Sequence, residues 1–105
     1  MSDDAPQAGT GVPAGAISKE LLIINKRGLH ARASAKFVQA VERFDAQVWV
    51  TRGAETVGGT SIMGLMMLAA GPGTTITVAA AGTDAEAALA AITELVESKF
   101  NEEGT

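Results

Sequence analysis

From residue 17 onward, the apolar positions of the chain switch repeatedly between strand-like and helix-like spacing. Residues 17–25 contain the extended run Leu21-Leu22-Ile23-Ile24 and predict a first strand. Ser34, Phe37, Val38, Val41 and Phe44 then recur at steps of three and four, which predicts a helix over about 31–44 with one apolar face. Gln47 to Thr51 alternates as a half-buried strand, Arg52-Gly53-Ala54 turns, and Glu55-Thr56-Val57 returns as its hairpin partner. Trp49 has the opposite parity to Val48 and Val50, which places it on the less covered face of a sheet. Gly58-Gly59-Thr60 breaks the hairpin. Ser61 then precedes a Met-rich segment, Ile62 to Ala70, read as a helix of about two turns with the serine as its N-cap. Gly71-Pro72-Gly73 stops that helix, Thr74 to Ala81 alternates as a fourth strand, and Gly82 ends it. Thr83-Asp84-Ala85-Glu86 reads as a capping box. It opens a last helix running to about Phe100, with Ala85, Leu89, Ile92, Val96 and Phe100 on one stripe. Asn101 onward reads as a frayed acidic end.

The resulting order, β-α-β-β-α-β-α, predicts an α+β domain: one mostly antiparallel sheet with its helices on one face. Residues 1–16 are rich in Gly, Ala, Pro and Asp, show no period and read as a flexible tail before a domain over 17–105. A chain of 105 residues is one domain. Of its hydrophobic residues 20 are alanine, so the core must be thin, with few large anchors.

Composition removes several chemistries. There is no cysteine, hence no disulfide and no thiolate site; a single histidine besides argues against structural zinc. Met1-Ser2-Asp3-Asp4 lacks the basic start and apolar centre of a secretory signal, and no apolar run approaches a membrane span. The expected compartment is the cytoplasm. A net charge of −4 and few aromatic residues count against general nucleic-acid binding.

Charge is distributed unevenly, and this directs attention to one segment. Five of the eight Lys and Arg residues, Lys26, Arg27, Arg32, Lys36 and Arg43, lie between 26 and 43, opposed there only by Glu42. The inversion suits a site that meets anions or an acidic partner. The sole histidine, His30, falls at the predicted start of the first helix. Helix-start N–H groups lack intrahelical partners and, with the dipole, make an anion cradle. The same field and Arg32 disfavour a positively charged ring, which favours a nucleophilic imidazole. Arg32 adds a planar fork suited to phosphate oxygens. Two readings follow: a phosphoryl group carried covalently on His30, or a non-covalent regulatory module whose basic helix start holds an anion. A solvated histidine without a role is the bland alternative. A turnover enzyme is disfavoured, because no second acid, base or metal cluster accompanies His30 in the sequence.

Gly28-Leu29-His30-Ala31-Arg32, and Ser61-Ile62-Met63-Gly64-Leu65-Met66 further on, resemble the HPr family of histidine phosphocarriers of the bacterial phosphotransferase system. The resemblance covers about residues 17–100 and includes the 31-residue separation of His30 from Ser61. It implies an open-faced sandwich of four antiparallel strands with three helices on one face. It also implies that His30 takes a phosphoryl group on Nδ1 from an enzyme I-type donor and passes it to enzyme IIA-type acceptors. Ala31 and Arg32 would hold the phosphoryl oxygens through backbone N–H groups and, for Arg32, the guanidinium; no cofactor or resident metal is expected. Ile62, Met63 and Met66 would form a docking surface shared by donor and acceptor, with Leu65 and Leu68 in the core. Ser61 would combine an N-cap with regulatory phosphorylation by a kinase of the HPr kinase/phosphorylase type. The carrier is expected to act as a monomer, without nucleic-acid or membrane partners. Sugar-uptake and nitrogen-related carriers share these motifs. Two positions depart from the pattern. Ala33 stands where the family often has proline, and keeps an N–H the proline would lack. Thr60 stands where serine-regulated members often carry lysine.

Overall fold

A computed structural model describes residues 12–102. The first eleven residues of the tail inferred from sequence, and the last three of the chain, lie outside the described residues. The elements are β1 (Ile17–Leu22), α1 (Ala31–Glu42), β2 (Gln47–Arg52), β3 (Glu55–Gly58), α2 (Ile62–Met67), β4 (Thr75–Ala81) and α3 (Ala85–Glu97), followed by a single turn over Lys99–Asn101. The four strands form one antiparallel sheet in the order β1-β4-β2-β3. This is an α+β domain with one antiparallel sheet, as the β-α-β-β-α-β-α pattern predicts, and it is the four-stranded open-faced sandwich that the resemblance implies.

Strand parity builds the core. Leu21 and Ile23, Val48 and Val50, and Ile76, Val78 and Ala80 are buried from three neighbouring strand segments. They share a core with Phe37, Val38 and Val41 of α1, Leu65 of α2, and Leu89, Ile92 and Val96 of α3. Trp49 takes the other parity and is half-buried on the opposite face. Its register partners are Ala79 and Gly58, so the indole meets little cross-strand bulk. In the hairpin, the hydroxyls of the paired residues Thr51 and Thr56 lie 2.7 Å apart, and Gly53 supplies the left-handed turn with φ 61°.

Several boundaries differ from the sequence reading. β1 ends at Leu22 rather than residue 25, although Ile23 still exchanges backbone bonds with Thr74 and Gly73. α1 ends at Glu42, with Arg43 as its C-cap. α2 is shorter than the apolar run: Leu68 is its C-cap, and Ala69 turns left-handed with φ 53° before the Gly-Pro-Gly stop is reached. The guanidinium of Arg52 donates to the Leu68 carbonyl at 2.9 Å, which satisfies a carbonyl at the helix end. The capping box does not form. Asp84, not Thr83, is the N-cap of α3, and its carboxylate accepts from the backbone N–H of Asp45 at 2.8 Å. That bond ties the α1–β2 turn to the start of α3. α3 itself stops at Glu97 instead of reaching Phe100.

Candidate functional site

The site begins where β1 runs out. Asn25 is fully buried, and its side-chain amide donates to the Gly28 carbonyl at 2.8 Å, while the Gly28 N–H returns to the Asn25 carbonyl at 3.2 Å. This turn presses Gly28 against the chain that leaves α2. A Cβ on Gly28 would fall 2.3 Å from the Ala70 carbonyl oxygen, and φ there is +64°. Only glycine accepts both conditions. The next residue, Leu29, is buried and donates its N–H to the same Ala70 carbonyl at 2.9 Å. The chain is therefore pinned on both sides just before it reaches His30.

His30 is the N-cap residue of α1, in extended conformation, and its carbonyl accepts the first helical N–H, that of Ser34, at 2.8 Å. Its side chain makes no cap bond. Ala31, Arg32 and Ala33 occupy the positions whose backbone N–H groups have no acceptor inside a helix. Ala31 and Arg32 are exposed, and Ala33 is buried. Arg32 makes no ion pair with any described residue. The Ser34 hydroxyl donates to the Leu29 carbonyl at 3.2 Å and locks the loop to the first turn.

The imidazole is engaged from the far end of the chain. Nε2 of His30 is paired with Oε2 of Glu102. The other carboxylate oxygen, Oε1, accepts from the side-chain amide of Asn25 at 3.2 Å. Lys36 stands nearby, with its ammonium donating to the Phe100 carbonyl at 2.6 Å. The His30 and Glu102 side chains are only 15% and 8% exposed. Burial pushes the Glu102 carboxyl up in pKa. Hydrogen bonds from His30 and Asn25, with the charges of His30 and Lys36, outweigh it and hold the group below its ordinary value. An ionised carboxylate is acceptor-only, so Nε2 carries the hydrogen in this contact. The Asn25 side-chain oxygen is buried without a partner among the described residues.

The second motif lies on α2, which packs against α1. Ser61 is exposed, and its hydroxyl accepts the Gly64 N–H at 2.9 Å, so the expected cap is present. Ile62, Met63 and Met66 are exposed, Met63 to 72%. Leu65 and Leu68 are buried. Met67, absent from the sequence-based docking set, is equally bare at 71%. Its spacing of four from Met63 was the available signal. Glu102 and Asn25 were also missed, and Lys36, read as one cation of the basic segment, donates to the Phe100 carbonyl. The expected frayed end at Asn101 is corrected at Glu102, which is packed on His30. The one sequence signal for this was Phe100, a large apolar residue continuing the α3 stripe and thus holding the end of the chain down.

No helix among the described residues is long and apolar enough to cross a membrane. The family model described as the PTS HPr component phosphorylation site matches residues 17–98. A phosphocarrier protein HPr of Neisseria meningitidis is 49% identical over 86 residues, covering 82% of this chain and 97% of the relative. A phosphocarrier protein NPr of Shewanella violacea is 43% identical over 86 residues, covering 82% of this chain and 94% of the relative. The crystal structure of HPr-C-His from Thermoanaerobacter tengcongensis superposes with a TM-score of 0.79 at 42% identity, covering 83% of this chain and 98% of that one.

Proposed function

The chain belongs to the HPr family of phosphotransferase-system phosphocarriers, and from that premise we propose that His30 is the residue that carries the phosphoryl group, taking it from an enzyme I-type donor and surrendering it to enzyme IIA-type acceptors. The observation that supports this most is the placement of the only histidine as N-cap of α1, ahead of N–H groups that have no helical acceptor. The Nδ1 lone pair attacks phosphorus. The bond from phosphorus to the donor breaks, and its electron pair leaves with the donor. The N–H groups of Ala31 and Arg32 and the guanidinium of Arg32 face the transferring oxygens, where charge spreads in the transition state. Onward transfer reverses the sequence on the acceptor.

Ile62, Met63 and Met66 form the apolar surface on which donor and acceptor dock in turn. Thioether side chains adapt to unlike partners, which suits a carrier that must meet both. Ser61 carries a regulatory phosphate added by a kinase of the HPr kinase/phosphorylase type. Such a phosphate brings roughly −1.5 to −2 charge to the edge of that surface. Desolvating it against an apolar partner is unfavourable, so docking weakens while His30 chemistry is left alone.

The test is phosphorylation by an enzyme I-type donor. The wild type gains the mass of one phosphoryl group, which acid removes and alkali does not. His30→Ala stays folded and gains none. A folded His30→Ala protein that is still phosphorylated by that donor would sink the assignment. A wild type that binds inorganic phosphate yet acquires no covalent group would be the anion-holding module instead.

A further inference from the structure

The sulfur of this chain is unevenly placed. There is no cysteine, and three of the four methionines, Met63, Met66 and Met67, fall within the six residues of α2. The fourth, Met1, lies outside the described residues. Along α2 the thioethers and the core are kept apart. The one buried residue of the helix is Leu65, and its C-cap Leu68 is buried too. Both are aliphatic and inert to oxidants. The methionines all face water, Met63 and Met67 at 72% and 71% exposure and Met66 at 43%. Met63 and Met67 are four residues apart, so they are neighbours on one helix face. Ile62 extends the same exposed surface. A core built from leucine and a surface built from thioethers give α2 one chemically sensitive side.

We propose that Met63 and Met67 are sites of reversible oxidation by peroxide, and that their sulfoxides switch the α2 surface from apolar to polar and so weaken docking. This rests on the reading of α2 as the docking surface. The step is a two-electron oxygen transfer. The Sδ lone pair attacks one peroxide oxygen, the O–O bond breaks, an S–O bond forms, and the other oxygen leaves as water. Reduction by a dithiol-dependent methionine sulfoxide reductase restores the thioether, with water and a disulfide as the products. In the free protein the new S–O group stands in water and is solvated. The helix keeps its Ser61 cap and its buried leucines, because neither involves sulfur. Against an apolar partner the same group loses its water without a designed hydrogen-bond donor, which is unfavourable. The modified side chain also loses the soft, adaptable character that lets one surface meet unlike partners. Oxidation thus acts on docking and leaves the fold and His30 unchanged.

The full chain is treated with hydrogen peroxide, the peroxide is removed, and oxidised positions are assigned by peptide mass mapping. Met63 and Met67 gain one oxygen each ahead of Met66, in the order of their exposure. The treated protein melts as the untreated one does. Its His30 phosphorylation by an enzyme I-type donor slows by about tenfold, the effect of one poorly solvated polar group in an interface. Methionine sulfoxide reductase with a dithiol restores the rate. A double variant, Met63→Leu with Met67→Leu, is treated in parallel, and each protein is compared with its own untreated form. The double variant keeps its own rate after treatment, although Met66 and Met1 are still present. A doubly oxidised wild type that transfers at the untreated rate would overturn the inference, as would an earlier melt or an equal slowing of the double variant. Met63→Glu separates the two readings. If it slows transfer while the sulfoxides do not, the docking surface stands and the oxidation switch falls. If Met63→Glu also has wild-type kinetics, the docking reading falls and the switch with it.

Discussion

Two glycines show how much a single position can carry. Gly28 and Gly53 have nearly the same φ, +64° and +61°. A Cβ at Gly53 would meet nothing within 4 Å, whereas at Gly28 it would strike the Ala70 carbonyl oxygen at 2.3 Å and the Gly71 Cα at 2.8 Å, both backbone atoms that cannot swing aside. Gly53→Ala therefore loses only the conformational term, about 1 kcal/mol. Gly28→Ala adds a backbone clash and loses about 3 kcal/mol or more. Urea unfolding of the two variants measures the difference. Equal losses would mean that the chain around Ala70 yields, and that Gly28 is not what fixes the approach to His30. The glycine itself was visible in the Gly28-Leu29-His30 motif. Its reason was not, because the atom it avoids lies 42 residues along the chain.

At the scale of elements, α2 separates stability from docking. Its six residues bury only Leu65, and the cap bond from Ser61 to the Gly64 N–H carries much of its definition. Ser61→Ala should cost about 1 kcal/mol through the lost cap. Met63→Glu should leave stability within about 0.5 kcal/mol, since the side chain is mostly in water. The same change should slow transfer from donor and to acceptor by about tenfold each, as loss of a docking anchor worth a little over 1 kcal/mol would do. Stopped-flow transfer and thermal melts on the two variants check the split. Met63→Glu with wild-type kinetics in both directions would remove α2 from the docking surface. The elements themselves were legible because local signals and tertiary packing agree: period three-to-four in α1, alternation in β2 and β4, and a serine cap on α2. Legibility failed where a side chain found a remote partner. Thr83 and Glu86 have the spacing of a capping box, yet α3 starts from Asp84, whose carboxylate serves Asp45, 39 residues away, and nothing in a local window reports that choice.

The whole molecule is needed to bring residue 30 to residue 102. β1 and β4 pair at one edge of the sheet, α3 packs on both, and the turn after α3 returns the chain to the end of β1 and the start of α1. His30, its cap position and its basic neighbourhood could be read from sequence, since they depend on contiguous residues. Glu102 could not, because its place is set by the left-handed turn, the burial of Phe100 and the Lys36 clamp acting together. This long-range contact has a thermodynamic signature. Burial alone would raise the Glu102 carboxyl, but hydrogen bonds from His30 and Asn25 and the charges of His30 and Lys36 lower it below its ordinary value of 4.5. As pH falls, the unfolded chain binds the proton first, because its carboxyl is the weaker acid of the two. The stabilisation is therefore complete above the unfolded value and is lost as pH falls through the lower folded value. Wild type should be more stable than Glu102→Gln near neutral pH. The difference should shrink as pH falls through the carboxylate range, because a protonated glutamic acid and a glutamine are then alike in charge. Urea unfolding of both proteins across that range measures it. A gap between wild type and Glu102→Gln that is constant with pH would mean that the carboxylate's charge contributes nothing to holding the C-terminal turn against His30.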